Sequence, residues 1–282
     1  METIHTITEL RRVLDADRAA GLSVGFVPTM GYLHDGHVSL VQASVAANDR
    51  TIVSIFVNPL QFAPDEDLAD YPRDLASDSA RCEAAGVDYV FAPSVEEMYP
   101  RAIDTVVTVP GVAAPLEGVQ RPTHFAGVAT VVAKLFSIVG PCRAYFGAKD
   151  WQQVAVVSRM VADLSMPVEV VPCPIVREAD GLAMSSRNVY LTTEERAQAP
   201  LLRSALDAGL AAIAEGERDP AAVESAMRAV LADATLGTVG YAVAVPAHSL
   251  VGSGPLTGDV RLLLAVKFSK ARLIDNDGCT ID

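Results

Sequence analysis

The sequence predicts an α/β fold in which a larger parallel-sheet domain precedes a smaller α+β domain. Over the first 176 residues, short apolar runs bounded by turn residues alternate with amphipathic helical segments. Such alternation is typical of βαβ units, whose strands pair in parallel and whose helices cover the sheet. Residues 177–282 contain two helical segments followed by three strand-like segments. We therefore expect a Rossmann-like doubly wound domain over residues 1–176 and an α+β domain over residues 177–282.

In the first domain, the strand candidates are apolar runs flanked by glycine, proline and polar residues. They cover residues 22–29, 51–58, 87–93, 143–147 and 167–176, and a weakly alternating run at 105–111 is a candidate edge strand. Helices are predicted directly after the first strand and over residues 74–85, 125–140 and 151–164. In the first of these helices, Val38, Val41 and Val45 recur at helical spacing and predict its buried face. Pro172 and Pro174 favour an edge position for the last strand.

The second domain begins with signals for helix starts. Thr192 and Glu195 fit a capping box at the start of one long helix over residues 192–217. Asp219 as N-cap and Pro220 in the first turn predict another helix over residues 219–234. Three strands are predicted at residues 238–245, 260–268 and 271–275. The segment MSSRN, residues 184–188, lies at the predicted domain junction.

The bulk composition is that of a globular protein and disfavours several functions. A formal net charge of −13 disfavours a large nucleic-acid surface, which needs clustered Lys and Arg. Neither a membrane-spanning apolar run nor a signal-peptide pattern is found in the sequence, so the cytoplasm is the expected location. The four cysteines lie far apart without a C-x-x-C pair, and we expect buried free thiols at Cys82, Cys142, Cys173 and Cys279.

The stretch VPTMGYLHDGHVSL, residues 27–40, places His34 and His37 on the predicted entry turn of a helix that follows a strand. Ligands of open α/β sheets bind outside the carboxyl ends of the strands, and helix N-termini favour anions. Gly36 allows a close backbone approach, and Asp35 is a candidate N-cap. A phosphate site is one interpretation, and a pair of half-buried histidines without a ligand is another. A metal site is a third, but no His or Cys at motif spacing supplies a further ligand.

The stretch at residues 27–40, extended by Val41, is the first of seven stretches whose order along the chain indicates a family. The seven are VPTMGYLHDGHVSLV, SIFVNPLQF, YPRDL, RPTHFAGVATVVAKLF, YFGAKDWQQ, DGLAMSSRNVYL and RLIDN. Together they resemble the pantothenate synthetases (pantoate–β-alanine ligases), a family of the H-x-G-H nucleotidyltransferase superfamily. The resemblance covers nearly the whole chain, and it departs from the usual residues of the family at Tyr32, Ala148, Trp151 and Pro246.

The resemblance implies a set of site residues. The groups implied to be catalytic are His34, His37, Lys149 and Arg187, with His37 as the proton donor. The implied ATP-binding residues are Met30, Gly31, Tyr32, Leu33, His34, Asp35, Gly36, His37, Gly147, Ala148, Lys149, Asp150, Val176, Met184, Ser185, Ser186 and Arg187. The implied substrate-binding residues are Gln61 for pantoate and β-alanine, Gln153 for pantoate, and Asn58 as support. No protein ligand to a metal is implied.

The reaction implied by the resemblance is the ATP-dependent condensation of (R)-pantoate with β-alanine. It runs through pantoyl adenylate and gives pantothenate, AMP and pyrophosphate; ATP is a substrate, and Mg²⁺ is expected mainly on its phosphates. The resemblance also implies a homodimer with small-molecule partners, whereas the net charge and the lack of a long apolar run disfavour nucleic-acid and membrane partners.

An acyl adenylate hydrolyses when water reaches it, so we expect the site to close. The acidic segment at residues 62–76 is a candidate lid, with an ordinary solvated loop as the alternative. The second candidate is MSSRN, because domain closure would bring Ser185, Ser186 and Arg187 onto the phosphates.

Two other functions compete with this one. An adenylyltransferase of the same superfamily would leave AMP on its product, and Gln61 with Gln153 argue against it. A nucleotide-binding regulatory protein without turnover is the other, and the set His34, His37, Lys149 and Arg187 disfavours it. Arg121 and His124 are interpreted as supporting or capping residues and not as catalytic ones.

Overall fold

The computed structural model of the chain describes residues 1–63, 68–69 and 71–282. These residues form two compact units. The first comprises Met1–Ala148 and Gln152–Pro174, and the second comprises Lys149–Trp151 and Ile175–Asp282. Part of the candidate lid at 62–76, namely residues 64–67 and 70, lies outside the described residues.

The first unit contains a six-stranded sheet with the strand order β1-β4-β3-β2-β5-β6. Its strands are β1 (Glu2–Ile4), β2 (Val24–Thr29), β3 (Arg50–Ile55), β4 (Tyr89–Phe91), β5 (Cys142–Gly147) and β6 (Val168–Cys173). All neighbouring strands pair in parallel. The strand β6 lies at an edge of the sheet, which confirms the position predicted from the prolines.

Helices cover both faces of this sheet. Successive residues of a strand point to opposite faces, so an apolar strand places apolar side chains against the helices on both sides. The ring of Phe26 lies 6.3 Å from that of Phe136, whereas Val27 belongs to a core cluster with Leu40 and Val41. The helices of this unit are α1 (Ile7–Ala19), α2 (Asp35–Ala47), α3 (Leu75–Ala84), α4 (Val95–Met98), α5 (Pro110–Ala113), α6 (Glu117–Gln120), α7 (His124–Val139) and α8 (Trp151–Asp163). The predicted doubly wound parallel sheet is confirmed.

The buried face of α2 differs from the predicted one. Val41 is buried as expected, but Val45 is exposed, and the polar residue Ser44 is fully buried in its place. The Oγ of Ser44 lies 2.8 Å from the Oγ1 of Thr51 on β3. A hydroxyl pair therefore replaces an apolar contact at this position, because a buried hydroxyl with a partner costs little.

The predicted edge strand at residues 105–111 is wrong. Residues 105–109 adopt no strand, and α5 begins at Pro110. The backbone N–H of Val107 donates to the hydroxyl of Thr130 on α7, at 3.0 Å. Valine and threonine fit a strand only where a neighbouring strand can pair with them, and here a helix side chain takes the backbone donor.

The second unit combines helices with a small antiparallel sheet ordered β7-β8-β9. Its elements are α9 (Thr193–Gln198), α10 (Leu201–Ala214), α11 (Pro220–Leu231), β7 (Thr238–Pro246), β8 (Gly258–Lys267) and β9 (Arg272–Ile281). Leu206, Met227 and Leu262 lie in one core cluster that joins α10 and α11 to the sheet. The predicted α+β architecture of this region is confirmed.

The prediction of a single long helix over residues 192–217 is wrong because the structure has two helices there. The capping box of Thr192 and Glu195 is present, but the helix ends at Gln198 and α10 begins at Leu201. Pro200 separates them because it lacks an N–H group and its ring conflicts with the carbonyl of the preceding turn. Strand β9 is also longer than predicted, since its pairing with β8 continues to Ile281.

All four cysteines are free, as predicted; Cys82 and Cys173 are buried, whereas Cys142 and Cys279 are half-buried. Within the part of the chain that the structure describes, no helix combines the length and the apolar character needed to cross a bilayer.

Candidate active site

The strand order of the first unit reverses between β2 and β5. From β2 the chain proceeds outward to β3 and β4, and it then returns to add β5 and β6 on the other side. A crevice forms outside the carboxyl ends of the strands at such a switch point, and this is where α/β sheets bind ligands. The segments that leave these ends carry residues 30–37 after β2, residues 58–61 after β3 and Ala148 after β5, whose last residue is Gly147.

The loop between β2 and α2 has an unusual backbone that a buried carboxylate holds in place. Gly31 and Tyr32 have φ angles of +86° and +52°. The carboxylate of Asp78, a residue only 2% exposed, accepts hydrogen bonds from the N–H groups of Tyr32 at 2.8 Å and Leu33 at 2.7 Å. A Cβ at Gly31 would lie 2.9 Å from Asp78 Oδ2, so this position requires glycine.

Sequence reasoning missed Asp78. An acidic residue in the first turn of a helix such as α3 normally lies on an exposed face, and its local sequence carries no signal of burial. The side chain of Tyr32 is exposed, which explains how tyrosine is accommodated at this position.

His34 and His37 lie on one face of the first turn of α2, with ring centroids 4.1 Å apart, as their spacing predicts. The N–H of Gly36 donates to His34 Nδ1 at 3.1 Å, and the N–H of His34 donates to His37 Nδ1 at 3.3 Å. The prediction of Asp35 as N-cap is wrong, because His34 is the N-cap and Asp35 is the first helical residue.

These hydrogen bonds assign the tautomer of both rings. A backbone N–H can only donate, so each Nδ1 is an acceptor and carries no proton. The proton of each neutral imidazole is therefore on Nε2. The pair presents two N–H donors at a helix N-terminus, where the helix dipole favours an anion.

The turn after β3 is fixed by Asn58, which is 1% exposed. Its Nδ2 donates to Gln61 Oε1 and to the carbonyl of Gly127, both at 3.2 Å. Its Oδ1 accepts from the hydroxyl of Tyr99 at 2.9 Å. Burial raises the pKa of Tyr99 to about 12, so this hydroxyl remains a donor at neutral pH. Asn58 thus orients the side chain of Gln61.

Three further contacts hold Gln61 at the switch point. Its carbonyl accepts from Arg121 Nη2 at 3.4 Å and from His124 Nδ1 at 2.9 Å, and its Nε2 donates to the sulfur of Met30. Gly127 on α7 permits this approach, because a Cβ there would lie 2.1 Å from the carbonyl oxygen of Leu60. Met30 and Gln61, predicted separately for ATP and pantoate, are therefore in contact.

The two glutamines at the start of α8 have different environments. Gln152 is 5% exposed, accepts from the N–H of Glu117, and donates to the carbonyls of Val112, Ala113 and Pro115. It therefore ties α8 to the segment that carries α5 and α6. Gln153 is half-buried, and its side chain forms no hydrogen bond to another described residue. Gln153 is the glutamine that remains available for a substrate.

In the second unit, Lys149 lies on a short 3₁₀ turn, Ala148–Asp150, that directly follows Gly147 at the end of β5. Its ammonium nitrogen lies 3.6 Å from Asp150 Oδ1. Its backbone carbonyl accepts a hydrogen bond from Asn276 Nδ2 at 2.7 Å. Trp151 donates its indole N–H to the carbonyl of Ala247 at 2.7 Å, which gives this unusual residue a structural role.

The MSSRN segment follows a small hairpin in the same unit. The N–H of Met184 donates to the carbonyl of Val176 at 2.9 Å, and Arg177 pairs with Ala183 in an antiparallel bridge. Ser185 then caps a 3₁₀ helix, Ser186–Tyr190, by accepting from the N–H of Arg187 at 3.2 Å. The guanidinium of Arg187 forms no ion pair with any described residue. The turn thus presents one cation and the hydroxyls of Ser185 and Ser186.

The described residues include no group of three or more His, Cys, Asp or Glu side chains that could hold a metal ion. The imidazole, ammonium and guanidinium groups named above are also unsuited to Mg²⁺, which prefers oxygen ligands.

Comparisons with known proteins decide the family. The model of the pantoate-beta-alanine ligase family matches residues 2–277. The chain belongs to the pantoate–β-alanine ligase family. A pantothenate synthetase of Agrobacterium fabrum is 54% identical over 277 residues, which cover 98% of this chain and 95% of that protein.

Solved structures of this family have the same fold. A pantothenate synthetase from Thermus thermophilus superposes with a TM-score of 0.93 at 49% identity, covering 98% of this chain and 99% of the other. A pantoate–β-alanine ligase from Francisella tularensis, complexed with β,γ ATP and β-alanine, superposes with a TM-score of 0.78 at 31% identity, covering 98% and 97%.

Proposed function

We propose that this protein is an ATP-dependent ligase that joins pantoate to β-alanine through pantoyl adenylate, with release of pyrophosphate and AMP. The observation that carries the proposal is the pair of imidazole Nε2–H donors of His34 and His37 at the N-terminus of α2, beside the switch point of the sheet. Family membership supports the ligase class and both acid and amine substrates.

In the first step, a carboxylate oxygen of pantoate attacks the α-phosphorus of ATP. The bond to the bridging oxygen breaks, and pyrophosphate leaves with the electron pair. Negative charge increases on the α–β bridging oxygen, so donors fixed in advance around the phosphates lower the barrier. We assign this role to His34 and His37 of the first unit and to Lys149 and Arg187 of the second, with the Nε2–H of His37 as the hydrogen-bond donor to the bridging oxygen.

In the second step, the neutral amine of β-alanine attacks the acyl carbon of pantoyl adenylate. The amide C–N bond forms, the C–O bond to AMP breaks, and the nitrogen loses a proton to solvent. Binding side by side raises the effective concentration of the amine and favours it over water. Gln61 is assigned to pantoate and β-alanine, because the contacts of Asn58, Arg121 and His124 fix its position.

The remaining assignments divide by ligand group. Gln153 is assigned to pantoate, whose hydroxyls and carboxylate need directional partners. Residues of the loops around the switch point are assigned to ATP through their backbone or short side chains: Met30, Gly31, Tyr32, Leu33, Asp35, Gly36, Gly147, Ala148 and Asp150. The hairpin and MSSRN turn contribute Val176, Met184, Ser185 and Ser186.

Four features complete the proposal. Mg²⁺ binds mainly through the oxygens of the ATP phosphates, since the nearby protein cations cannot coordinate it. Closure of MSSRN excludes water from the adenylate. The working form is a homodimer with small-molecule partners and without a nucleic-acid partner. The expected compartment is the cytoplasm, where ATP is available.

The proposal is tested by ATP–pyrophosphate exchange with pantoate present and β-alanine absent. Exchange that depends on pantoate is expected, because adenylate formation is reversible. Addition of β-alanine should then produce AMP and pantothenate in equal amounts. AMP retained on the organic product would identify an adenylyltransferase instead. ATP binding without any consumption would identify a regulatory protein.

A further inference from the structure

Two adjacent polar residues of β9, Asp275 and Asn276, are buried although neither is assigned to a substrate. The side chain of Asp275 is 1% exposed and forms a two-pronged ion pair with Arg177, with N–O distances of 2.7 and 3.0 Å. Buried carboxylates are kept in proteins when they are fully paired and hydrogen-bonded. This pair therefore fixes the guanidinium of Arg177 closely.

Arg177 in turn holds the hairpin that precedes MSSRN. Its Nη1 also donates to the carbonyl of Gly181 at 3.0 Å, in the turn of the hairpin. Its backbone takes part in the bridge to Ala183, one residue before Met184. Asp275 thus determines where the hairpin lies on the second unit and, through it, where the turn of Ser185 to Arg187 begins.

Asn276 holds the other ATP segment of this unit. Its Nδ2 donates to the carbonyl of Lys149 at 2.7 Å, and its Oδ1 accepts from Arg261 Nε at 2.8 Å. An arginine N–H can only donate and a carbonyl can only accept, so these two partners assign the amide orientation. The guanidinium of Arg261 stacks on Trp151 at 3.8 Å from the ring centroid, which holds the residue after Asp150 as well.

We propose that Asp275 and Asn276 are positioning residues for adenylate formation: they place Lys149 and the Ser185–Arg187 turn at a fixed separation on the ATP phosphates. Consecutive residues of one strand are the two anchors, so neither loop can shift without distorting β9. Lys149, Ser185 and Asp275 also line the same small cavity. This inference rests on the proposed function, because it assigns the phosphates as the target of both loops.

The first test concerns Asn276→Asp, which keeps the acceptor for Arg261 and removes the donor to Lys149. A misplacement of about 1 Å at a reacting group costs roughly 10²-fold in rate. We expect the exchange rate to fall at least about tenfold and KM for ATP to rise, with KM for pantoate unchanged within about twofold. Partial unfolding would lower the rate without changing either KM.

A double-mutant cycle with Lys149→Ala tests whether Asn276 acts through Lys149. In the Lys149→Ala background, Asn276→Asp should lower the exchange rate by less than about twofold, because the group that it positions is gone. Equal effects of Asn276→Asp in both backgrounds would overturn the positioning role.

The second test compares two Asp→Asn substitutions in the small sheet. Asp275→Asn weakens the pair with Arg177, whereas Asp259→Asn on β8 removes an exposed hydrogen bond to Thr280 near the C-terminal end of β9. We expect Asp275→Asn to lower the exchange rate and raise KM for ATP, and Asp259→Asn to leave both within about twofold. If Asp275→Asn is not recovered folded, Arg177→Lys supplies the same comparison, since it keeps the charge and removes the two-pronged geometry.

The outcomes distinguish a failure of the proposed function from a failure of the positioning role of Asp275 and Asn276. Wild-type protein without pantoate-dependent exchange would overturn the proposed function and this inference with it. Wild-type exchange, together with Asp275 and Asn276 variants whose KM values match those of Asp259→Asn, would overturn the positioning role alone.

Discussion

The carboxylate of Asp78 accepts a hydrogen bond from the backbone N–H of Tyr32, whose φ angle of +52° is positive although the residue is not glycine. Asp78 also accepts a hydrogen bond from the N–H of Leu33, so one buried side chain fixes the backbone of the two residues that precede His34. The conformation of this loop, and with it the direction of the histidine rings, depends on a residue 44 positions beyond His34 in the sequence.

Asp78→Asn should lower both stability and activity. The amide would direct an N–H group at one of the two backbone donors, which leaves that donor unsatisfied at a cost of about 1–3 kcal/mol. We expect chemical denaturation to show this loss and the exchange rate to fall at least about tenfold. Glu83→Gln, on the exposed side of the same helix, is the control and should change neither quantity. An Asp78→Asn variant with wild-type exchange would remove this loop constraint from the account of the site.

Gly127→Ala should displace the turn that carries Gln61. The added Cβ would overlap the carbonyl of Leu60, and backbone must move because no flexible side chain can yield. Overpacking of this kind costs about 1–3 kcal/mol. We expect KM for pantoate to rise more than KM for ATP in steady-state assays.

Gly111→Ala provides the matched control for Gly127→Ala. No atom lies within 4 Å of the Cβ position at Gly111, which is in the short helix α5. This substitution should leave both KM values and the unfolding midpoint near those of the wild type. A pantoate KM that is the same for both alanine variants would contradict the role of Gly127 in placing Gln61.

Substitutions at His34 separate helix capping from phosphate contact. Asparagine is a good N-cap, so His34→Asn should retain stability while it removes the Nε2–H donor. His34→Ala should lose about 1 kcal/mol of stability as well. Removal of one such donor typically costs about 10²–10³ in rate, and we expect this loss in both variants. Exchange at the wild-type rate in His34→Asn would show that His34 only caps α2.

The raised pKa of Tyr99 predicts that the folded protein loses stability at alkaline pH. Burial raises its pKa to about 12 from the ordinary value of 10.0, so the folded protein holds this proton more tightly than the unfolded chain does. Its contribution is fully present below pH 10 and is lost as the pH rises through 12. We expect the free energy of unfolding, measured by urea titration between pH 8 and 11, to fall less steeply for Tyr99→Phe than for the wild type. Parallel curves would contradict the raised pKa.

The sequence predicts the layers of this fold well because they depend on local patterns. Apolar runs and helical spacing identify the strands β2, β3, β5 and β6 and the helices α2, α3, α7, α8, α10 and α11, whereas β1 and α1 are not among the predicted elements. The predictions fail where a residue far away in the sequence determines the local structure. Val107 forms no strand because its N–H bonds to Thr130 on α7, and the exposure of Val45 follows from the hydroxyl pair of Ser44 and Thr51.

The same distinction applies to the candidate site. His34, His37, Lys149 and the MSSRN turn are found from motifs, because their chemistry is written in short stretches. Asp78 and Arg177, which hold two of these loops, lie outside the seven stretches that resemble the family. Gly127, Asp275 and Asn276 lie within such stretches, but the sequence assigns them no role. Each acts through a contact between elements far apart in the sequence, and only the folded chain brings those partners together.

Gln152 and Gln153 are adjacent in the sequence and should respond to alanine substitution in opposite ways. Gln152 binds three carbonyls and one N–H of the segment from Val112 to Glu117, so Gln152→Ala leaves buried groups unsatisfied. We expect it to lower the free energy of unfolding by about 1–3 kcal/mol. Gln153→Ala should leave stability unchanged and raise KM for pantoate more than KM for ATP. Denaturant titration and steady-state kinetics on both variants test this contrast, in which each glutamine is the control for the other. If Gln153→Ala retained the wild-type pantoate KM, the assignment of Gln153 to pantoate would be wrong. The structural role of Gln152 would be wrong if Gln152→Ala had the wild-type free energy of unfolding.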